Sequence, residues 1–389
     1  MKLNDNHKKL QILLCLLFMI YYLPGCFKNR IPTDPDFKAQ DVRRPAIAHH
    51  VPLSGATEVN RNTPITVWFD ELMDETSVQN NCLVWPSVQI DSIQVIAIDP
   101  NNPEIIYAAK PGKGIFKSED GAESWQWVTP STMRVRMSDL VVSTDNSDLL
   151  YAASTDSGVY KSLDGGTVWQ PVNSGLPELH ILAIAVDPTN SDLIYAATGS
   201  NGIYKSEDGG ISWYAKNNGV RPTRGPRDIV INPSNSNTLY AATQGDFILK
   251  SEDGGDSWTR LRTGLFTFNF KILTVHPQDT NLVFAVSDGG GIYRSKNGGT
   301  NWELIVEGLV SLDIQAIAVH PQNTNIAIIS TASGLYKSLN GGDNWNFTGN
   351  IPDVAGVAML SIDPVTPERI FAATASGIYR SETLGDSWT

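Results

Sequence analysis

Apolar and polar positions along most of this chain alternate in bursts of four to six residues, and the bursts recur in sets. In one set, Leu182-Ala-Ile-Ala-Val186 stops at Asp187-Pro188 and a polar turn leads to Leu193-Ile-Tyr195-Ala-Ala-Thr198. A Gly-containing tip then leads to Gly202-Ile-Tyr204-Lys-Ser206. Short alternating segments rich in β-branched and aromatic residues, separated by Gly, Pro, Asn and Asp, predict antiparallel strands rather than helices. The octet Ser206-Glu-Asp208-Gly-Gly210-Ile-Ser212-Trp213 forms the next turn, and a fourth strand is expected to start at its Trp.

The octet returns with leading serines at 118, 162, 206, 251, 295, 338 and 381, at spacings of 44, 44, 45, 44, 43 and 43. Its fixed positions are Ser118, Asp120 and Trp125; Ser162, Asp164 and Trp169; Ser206, Asp208 and Trp213; Ser251, Asp253 and Trp258. They continue at Ser295 and Trp302, Ser338 and Trp345, and Ser381 and Trp388, so seven of the ten tryptophans are one position repeated. Four strands in every ~44 residues describe a propeller blade, and seven such units describe a ring. The octet resembles the Asp-box (BNR) motif, Ser-x-Asp-x-Gly-x-Ser/Thr-Trp, of sialidases, sortilin-type receptors, xyloglucan-degrading propellers and photosystem II assembly propellers. Its residue types suit a turn: Ser and Asp accept backbone amides, Gly allows positive φ, and Trp packs a large apolar surface. Departures are Ala122 for Gly, Val168 for Ser/Thr, Asn297, Asn340 and Thr383 for Asp, and Asn301 and Asn344 for Ser/Thr. Asn keeps the turn-forming bond, so these positions are structural and not catalytic. The expected fold is all-β: a seven-bladed propeller of four-stranded antiparallel blades, preceded by a short Ig-like β fragment.

The flanks read differently. Lys2, Lys8 and Lys9 precede an apolar run from Leu10 to Leu23 broken only by Gln11. That is short of the roughly 20 residues that span a bilayer, so residues 1–25 read as a signal peptide. Leu23-Pro24-Gly25-Cys26 resembles a bacterial lipobox, which makes Cys26 the acylated N-terminus. Phe27 stands where the lipoprotein resemblance would link Asp to inner-membrane retention, so that resemblance makes the outer membrane or cell surface the expected location. Residues 26–46 form a Pro-rich tether. Residues 47–82, with Pro52-Leu-Ser-Gly-Ala-Thr57 and Thr63-Pro-Ile-Thr-Val-Trp-Phe-Asp70, resemble the start of a bacterial Ig-like domain, about a third of such a sandwich. The propeller takes 83–389. The chain reaches Trp388-Thr389 where a seventh outer strand begins, and Leu83-Val-Trp85 to Ile90 stands where other units have theirs. Residues 83–90 are therefore expected to close the last blade beside Gly377–Ser381, removing an exposed edge; the alternative is a truncated product with further sequence lost after Thr389.

Composition narrows the function. The chain has 389 residues, 41% hydrophobic and 18% charged, which is compatible with a large core and not with wholesale disorder. A net charge of −12 opposes nonspecific nucleic-acid binding, which needs a basic field. Of three cysteines, Cys15 is expected to leave with the signal, Cys26 would be acylated by the lipobox resemblance and Cys82 stands alone, so no disulfide framework or CxxC zinc site is expected. No phosphate-binding glycine loop is present, and no cofactor or metal is expected of a monomeric ring. His276-Pro277 and His320-Pro321 take the Asp-Pro turn position in successive blades, about 10 Å apart and too far to share a metal. They read as turn residues, and His180 is isolated.

Chain order places the octets and the Asp-Pro turns on one face. The other face carries the tips between second and third strands and the connections between blades; resemblance to Asp-box enzymes puts an active site there. That face gathers Arg134, Arg136, Arg221, Arg224, Arg227, Arg262, Phe266, Phe268 and Phe270. Guanidinium groups pair carboxylates or sulfates and rings stack on sugars, so this is a candidate anion or glycan site. The alternative is local ion pairing with Phe filling between blades. A glycosidase needs two carboxyls about 5–10 Å apart, for which Asp156 and Asp288 are the weak candidates, with Asp246 behind them. Asp at a tight tip is first a turn former. Asp139 and Asp228, near inner-strand starts, read as channel lining. The expectation is an exported lipoprotein whose propeller is a non-catalytic binding or assembly platform for a glycan or surface protein. The alternatives are a glycoside hydrolase of sialidase-like or xyloglucan-degrading type, and an assembly factor for a membrane complex.

Overall fold

The computed structural model describes residues 11–12, 47–51, 65–69, 93–129, 135–221, 225–349, 351 and 356–389. They fall into two units, 1–88 and 89–389. In the first, Ile65–Phe69 pairs antiparallel with Ile47–Val51 on one side and Gln11–Ile12 on the other. Cys26, the tether and the expected closing strand at 83–90 lie outside the described residues.

The second unit is a ring of seven antiparallel sheets, all strand and no helix among the described residues. Blade 1 runs Val95–Ile98, Ile106–Lys110, Gly114–Ser118 and Gln126–Trp127 from the axis outward. Blade 3, spanning Ile181–Asp187 to Tyr214–Ala215, repeats that order, as do blades 2, 4, 5 and 6. Outer strands start one residue after the box Trp, not at it. Blade 7 has Val357–Ile362, Ile370–Thr374 and Ile378–Ser381, and Thr389 exchanges both backbone bonds with Arg380 at 2.8 and 2.9 Å. Each inner strand touches the next, and that of blade 7 touches that of blade 1. The Ile93 amide donates to the Thr374 carbonyl at 3.0 Å across this seam. Apolar side chains fill the spaces between blades; one such layer joins Tyr195, Ala197 and Ile203 of blade 3 to Ile229, Leu239 and Trp258 of blade 4.

The boxes hold the turns as their residue types require. Ser206 Oγ donates to Asp208 at 2.8 Å and accepts the Gly210 amide at 2.8 Å, while Asp208 Oδ1 accepts the Ser212 amide at 2.9 Å. Only one acceptor atom is needed at the third position. Asn297 takes the Ser295 hydroxyl at 3.0 Å and the Asn301 amide at 2.9 Å, and Thr383 Oγ1 takes the Ser387 amide at 2.9 Å. The hydroxyl and amide of Ser257 lead the bonds that hold Asp253 down at about 2. Ala122 stands at φ 75 where other boxes have Gly, a left-handed conformation costly for a side chain with a Cβ. Ala122→Gly is therefore expected to raise the unfolding free energy by about 0.5–1 kcal/mol, read from the urea midpoint.

A second device runs around the whole ring. The box carbonyl at the first Gly position always receives a donor from the preceding blade. Tyr107 donates to Gly165 at 3.1 Å, Tyr151 to Gly209 at 3.4 Å, Tyr195 to Gly254 at 2.8 Å and Tyr240 to Gly298 at 3.0 Å. Blades 5 to 7 have Phe284, Ile328 and Phe371 at the Tyr position, and a third-strand cation takes over. Arg294 reaches Gly341, Lys337 reaches Leu384 at 3.2 Å, and Arg380 reaches Gly121 of blade 1 at 2.7 Å, closing the circle. Burial pushes the Tyr240 phenol up to about 12, so these tyrosines stay neutral donors.

Candidate functional site

The face opposite the boxes is built around the tip of blade 4, residues 244–247. Two connections clasp it. The amides of Gly245 and Phe247 both donate to the Phe268 carbonyl, at 3.0 and 3.1 Å. Phe247 pays for this with φ 66, an unusual conformation for a bulky side chain and one that clusters at functional sites. Asp246 is only 2% exposed, and its Oδ1 accepts Arg260 Nε at 2.7 Å and lies 3.5 Å from Arg221 Nη1. Arg260 Nη2 also holds the Gly219 carbonyl at 2.9 Å. Above this, the Arg262 guanidinium sits 5.3 Å from the Phe247 ring centre and the Phe268 ring meets Phe247 edge-on at 6.4 Å. Arg227 reaches Gln244 Oε1 at 2.8 Å.

Arg221, Arg227, Arg262 and Phe268 are thus gathered at one place, with Phe266 beside them on the same connection. Phe266 is 83% and Phe268 52% exposed, against solvent cost, while Arg221 is 56% exposed and only loosely paired. Phe270 is a correction: at 1% exposure it packs edge-on to Tyr293 at 5.6 Å as the first residue of the blade 5 inner strand. The alternation that exposes Phe266 and Phe268 ends where the chain enters the sheet. Arg134 and Arg224 lie outside the described residues. Arg136 is exposed in blade 2, its carbonyl accepting the Thr155 amide at 3.0 Å.

The candidate carboxyls are dispersed. Asp156 accepts the hydroxyls of Ser154 and Ser157 at 2.7 and 2.8 Å; partial burial pushes its carboxyl up, but these bonds outweigh it and hold it below the usual range. Asp288 is exposed at the blade 5 tip, with blades 3 and 4 between the two. Asp246 is committed to Arg260.

Asp139 and Asp228 occupy equivalent positions beside a bulge at the start of inner strands 2 and 4. An inner strand is its sheet's edge and turns alternate amides into the channel. Asp139 accepts two of them, Leu140 at 2.8 Å and Ile184 of blade 3 at 2.9 Å; Asp228 accepts Ile229 at 2.8 Å and Leu273 of blade 5 at 2.7 Å. Enclosure by the ring nevertheless pushes Asp139 up to about 6 and Asp228 up to about 7. Ordinary carboxyls titrate near pH 4. A folded-state value above the unfolded one means stability that is full below about pH 4 and lost as pH rises through 6 and 7. Unfolding free energy should fall by about 2 kcal/mol between pH 5 and 8, allowing for water in the channel, and Asp139→Asn with Asp228→Asn should flatten that slope. Urea titrations of both proteins at the two pH values decide it; equal slopes would remove the aspartates as the cause. The boxes act oppositely and lose stability only as pH falls towards 2.

On the turn face, Asp187 Oδ1 accepts the Thr189 amide at 2.8 Å, and His276 and His320 imitate it with Nδ1, each accepting an amide at 3.1 Å. Burial lowers the His276 pKa, which suits an acceptor nitrogen. Among the described residues no cluster of three or more His, Cys, Asp or Glu could hold a metal, and no helix is long and apolar enough to cross a membrane.

Sequence reasoning passed over the apolar half of the outer face. Val310 is 84% exposed, and Leu312 and Leu304 are exposed beside it. Leu304 belongs to the blade 5 outer strand, whereas Val310 and Leu312 stand on the connection from blade 5 to blade 6, at the same offsets from Gly308 as Phe266 and Phe268 from Gly264. That parallel was the available signal.

Comparison with known proteins agrees with the ring. The model of the Sortilin-Vps10 family (sortilin, neurotensin receptor 3) matches residues 157–291, and that of a bacterial Ig-like domain matches 41–103. The latter runs past 82 into the inner strand of blade 1. No curated protein matches in sequence. The GH74 enzyme of Niastella koreensis superposes with a TM-score of 0.65 at 20% identity, covering 77% of this chain and 53% of that one. The GH74 xyloglucanase of Xanthomonas campestris gives 0.65 at 18%, covering 78% and 54%. The chain thus spans about half the length of these enzymes. YCF48 bound to D1 peptide gives 0.61 at 17%, covering 76% and 94%. At such identities the likeness is one of fold.

Proposed function

We propose that this chain is an exported lipoprotein, anchored at the outer membrane or cell surface through Cys26, whose propeller is a non-catalytic binding or assembly platform for a glycan or protein partner. The observation that carries the reading is the blade 4 tip. A strained Phe247, a buried Asp246–Arg260 pair and two clasping connections together fix Arg262 and the Phe268 ring in place, with Phe266 exposed beside them. Rigid display of exposed rings and guanidinium groups serves recognition, since burying them on a partner recovers the hydrophobic free energy left unused in the free protein. Asp156 and Asp288 sit on tips separated by two blades, which supports binding without bond cleavage.

The likeness to GH74 enzymes favours a second reading, a glycoside hydrolase. It requires a carboxyl pair about 5–10 Å apart, which Asp156 and Asp288 do not make with each other. The likeness to YCF48 with its D1 peptide supports the assembly role within the platform reading. The test is to incubate the full chain with a polysaccharide panel and score retention and released reducing ends together. Retention without release is expected for a glycan platform. Release that Asp156→Ala or Asp288→Ala abolishes would establish the hydrolase instead.

A further inference from the structure

Beyond the blade 4 tip the outer face continues over blade 5, where two connections bearing side chains flank a glycine tip that bears none and so bound a shallow groove. Its floor is the tip Gly289-Gly290-Gly291. One wall is the connection carrying Phe266 and Phe268, joined to the floor by the Asp288 amide donating to Asn269 at 3.1 Å. The other carries Val310 and Leu312, joined by the Gly291 amide donating to Leu312 at 3.2 Å. A Cβ placed on Gly290 would lie 3.7 Å from Thr267 Cγ2, and one on Gly291 3.6 Å from Leu312 Cδ2, so both walls stand against the floor. A Cβ on Gly289 would meet nothing within 4 Å, so the floor is open to an approaching chain.

We infer that this groove seats an extended polypeptide segment of a partner protein, with apolar side chains against Phe266 and Val310 and carboxylates towards Arg262, Arg221 and Arg227. The inference rests on the platform reading and names the partner. Two observations select a polypeptide. Branched aliphatic side chains offer a sugar neither a flat face nor a hydrogen bond. An apolar centre with arginines at one end is the composition of a protein interface. Charge complementarity sets the register: Asp313 is answered by Lys271 at 3.5 Å and Asp288 is exposed beside the floor, so the carboxylates of a segment are drawn to the end where Arg262, Arg221 and Arg227 stand.

The experiment presents the full chain to short synthetic peptides in which leucine alternates with serine, carrying two aspartates, two lysines or neither at one end. A soluble polyuronate serves as the glycan arm. Aspartate peptides are expected to bind tightest. Phe266→Ser with Val310→Ser should weaken them about tenfold or more, the loss of some 1.4 kcal/mol of apolar contact. Arg262→Glu should abolish the preference for aspartate. If the double variant melts early, Phe266→Ser alone carries the comparison. Equal or tighter binding of lysine peptides, or binding unaffected by the variants, overturns the inference. Polyuronate binding without peptide binding overturns it while leaving the platform reading intact. Release of reducing ends overturns the platform reading, and silence in every arm overturns both.

Discussion

Trp345→Ala is expected to lower the unfolding free energy by about 4 kcal/mol, the middle of the range for deleting a buried ring. The ring is 1% exposed and belongs to the apolar layer that joins Leu282, Phe284 and Ile305 of blade 5 to Ile314, Ile329 and Tyr336 of its own blade. Its Nε1 donates to the Ile305 carbonyl at 2.9 Å, so truncation leaves a cavity and a buried acceptor without its donor. Trp388→Ala should cost about half as much. Its ring is only partly buried, and its Nε1 turns back to Gly385 of its own box at 3.1 Å rather than across to a neighbouring blade. Urea titration of the two variants measures the difference directly. Equal losses would mean that the boxes do not staple blade to blade as described.

Gly264→Ala should cost about 3 kcal/mol, although Gly264 lies in a connection and not in a strand. Its φ is +85, and a Cβ would sit 1.9 Å from the Trp302 carbonyl oxygen, which no side-chain rotation relieves. The Trp302 amide simultaneously donates to Thr263 at 2.9 Å, which pins the connection to the box of the next blade. The same approach recurs at Gly308, 2.1 Å from the Trp345 carbonyl. Substitution here pushes blade 5 away from the connection that carries Phe266 and Phe268. Thermal melting should therefore show a loss of stability together with weakened ligand binding. A variant that melts at the wild-type temperature would contradict the close approach.

Much of the fold was legible because a box needs so few atoms. One hydroxyl, one acceptor and a left-handed turn are enough, and Asn297, Asn340 and Thr383 keep the signal where Asp is gone. The circle of donors was visible only in part. Tyr107, Tyr151, Tyr195 and Tyr240 recur at the repeat spacing. A cation precedes the box Ser in all seven blades, from Lys117 to Arg380; what the sequence could not show is that it lies over the Tyr ring in blades 1 to 4 and reaches the carbonyl in place of Tyr in blades 5 to 7. The inner-strand bulges left no trace in composition, yet they help set Asp139 and Asp228 at the channel edge. On the outer face, Arg262 and Phe266 could be read from a single connection. The groove could not, since it joins residues from three successive connections and tips that only ring packing makes neighbours. Phe270 shows the same limit from the other side: its spacing matched Phe266 and Phe268, but the start of a strand buried it.

The central claim is that the boxes hold the ring while recognition resides on the outer rim of blades 4 to 6, and the two are separable. The most direct measurement is a paired one on the variant carrying Arg262→Glu and Phe266→Ser: its melting temperature, and its retention of whichever glycan or aspartate peptide the wild-type chain binds. Both side chains are exposed, so melting should stay within about 2 °C of wild type while binding is lost. Unchanged binding with the melting temperature intact would contradict the account, for the rim would then be surface without a role.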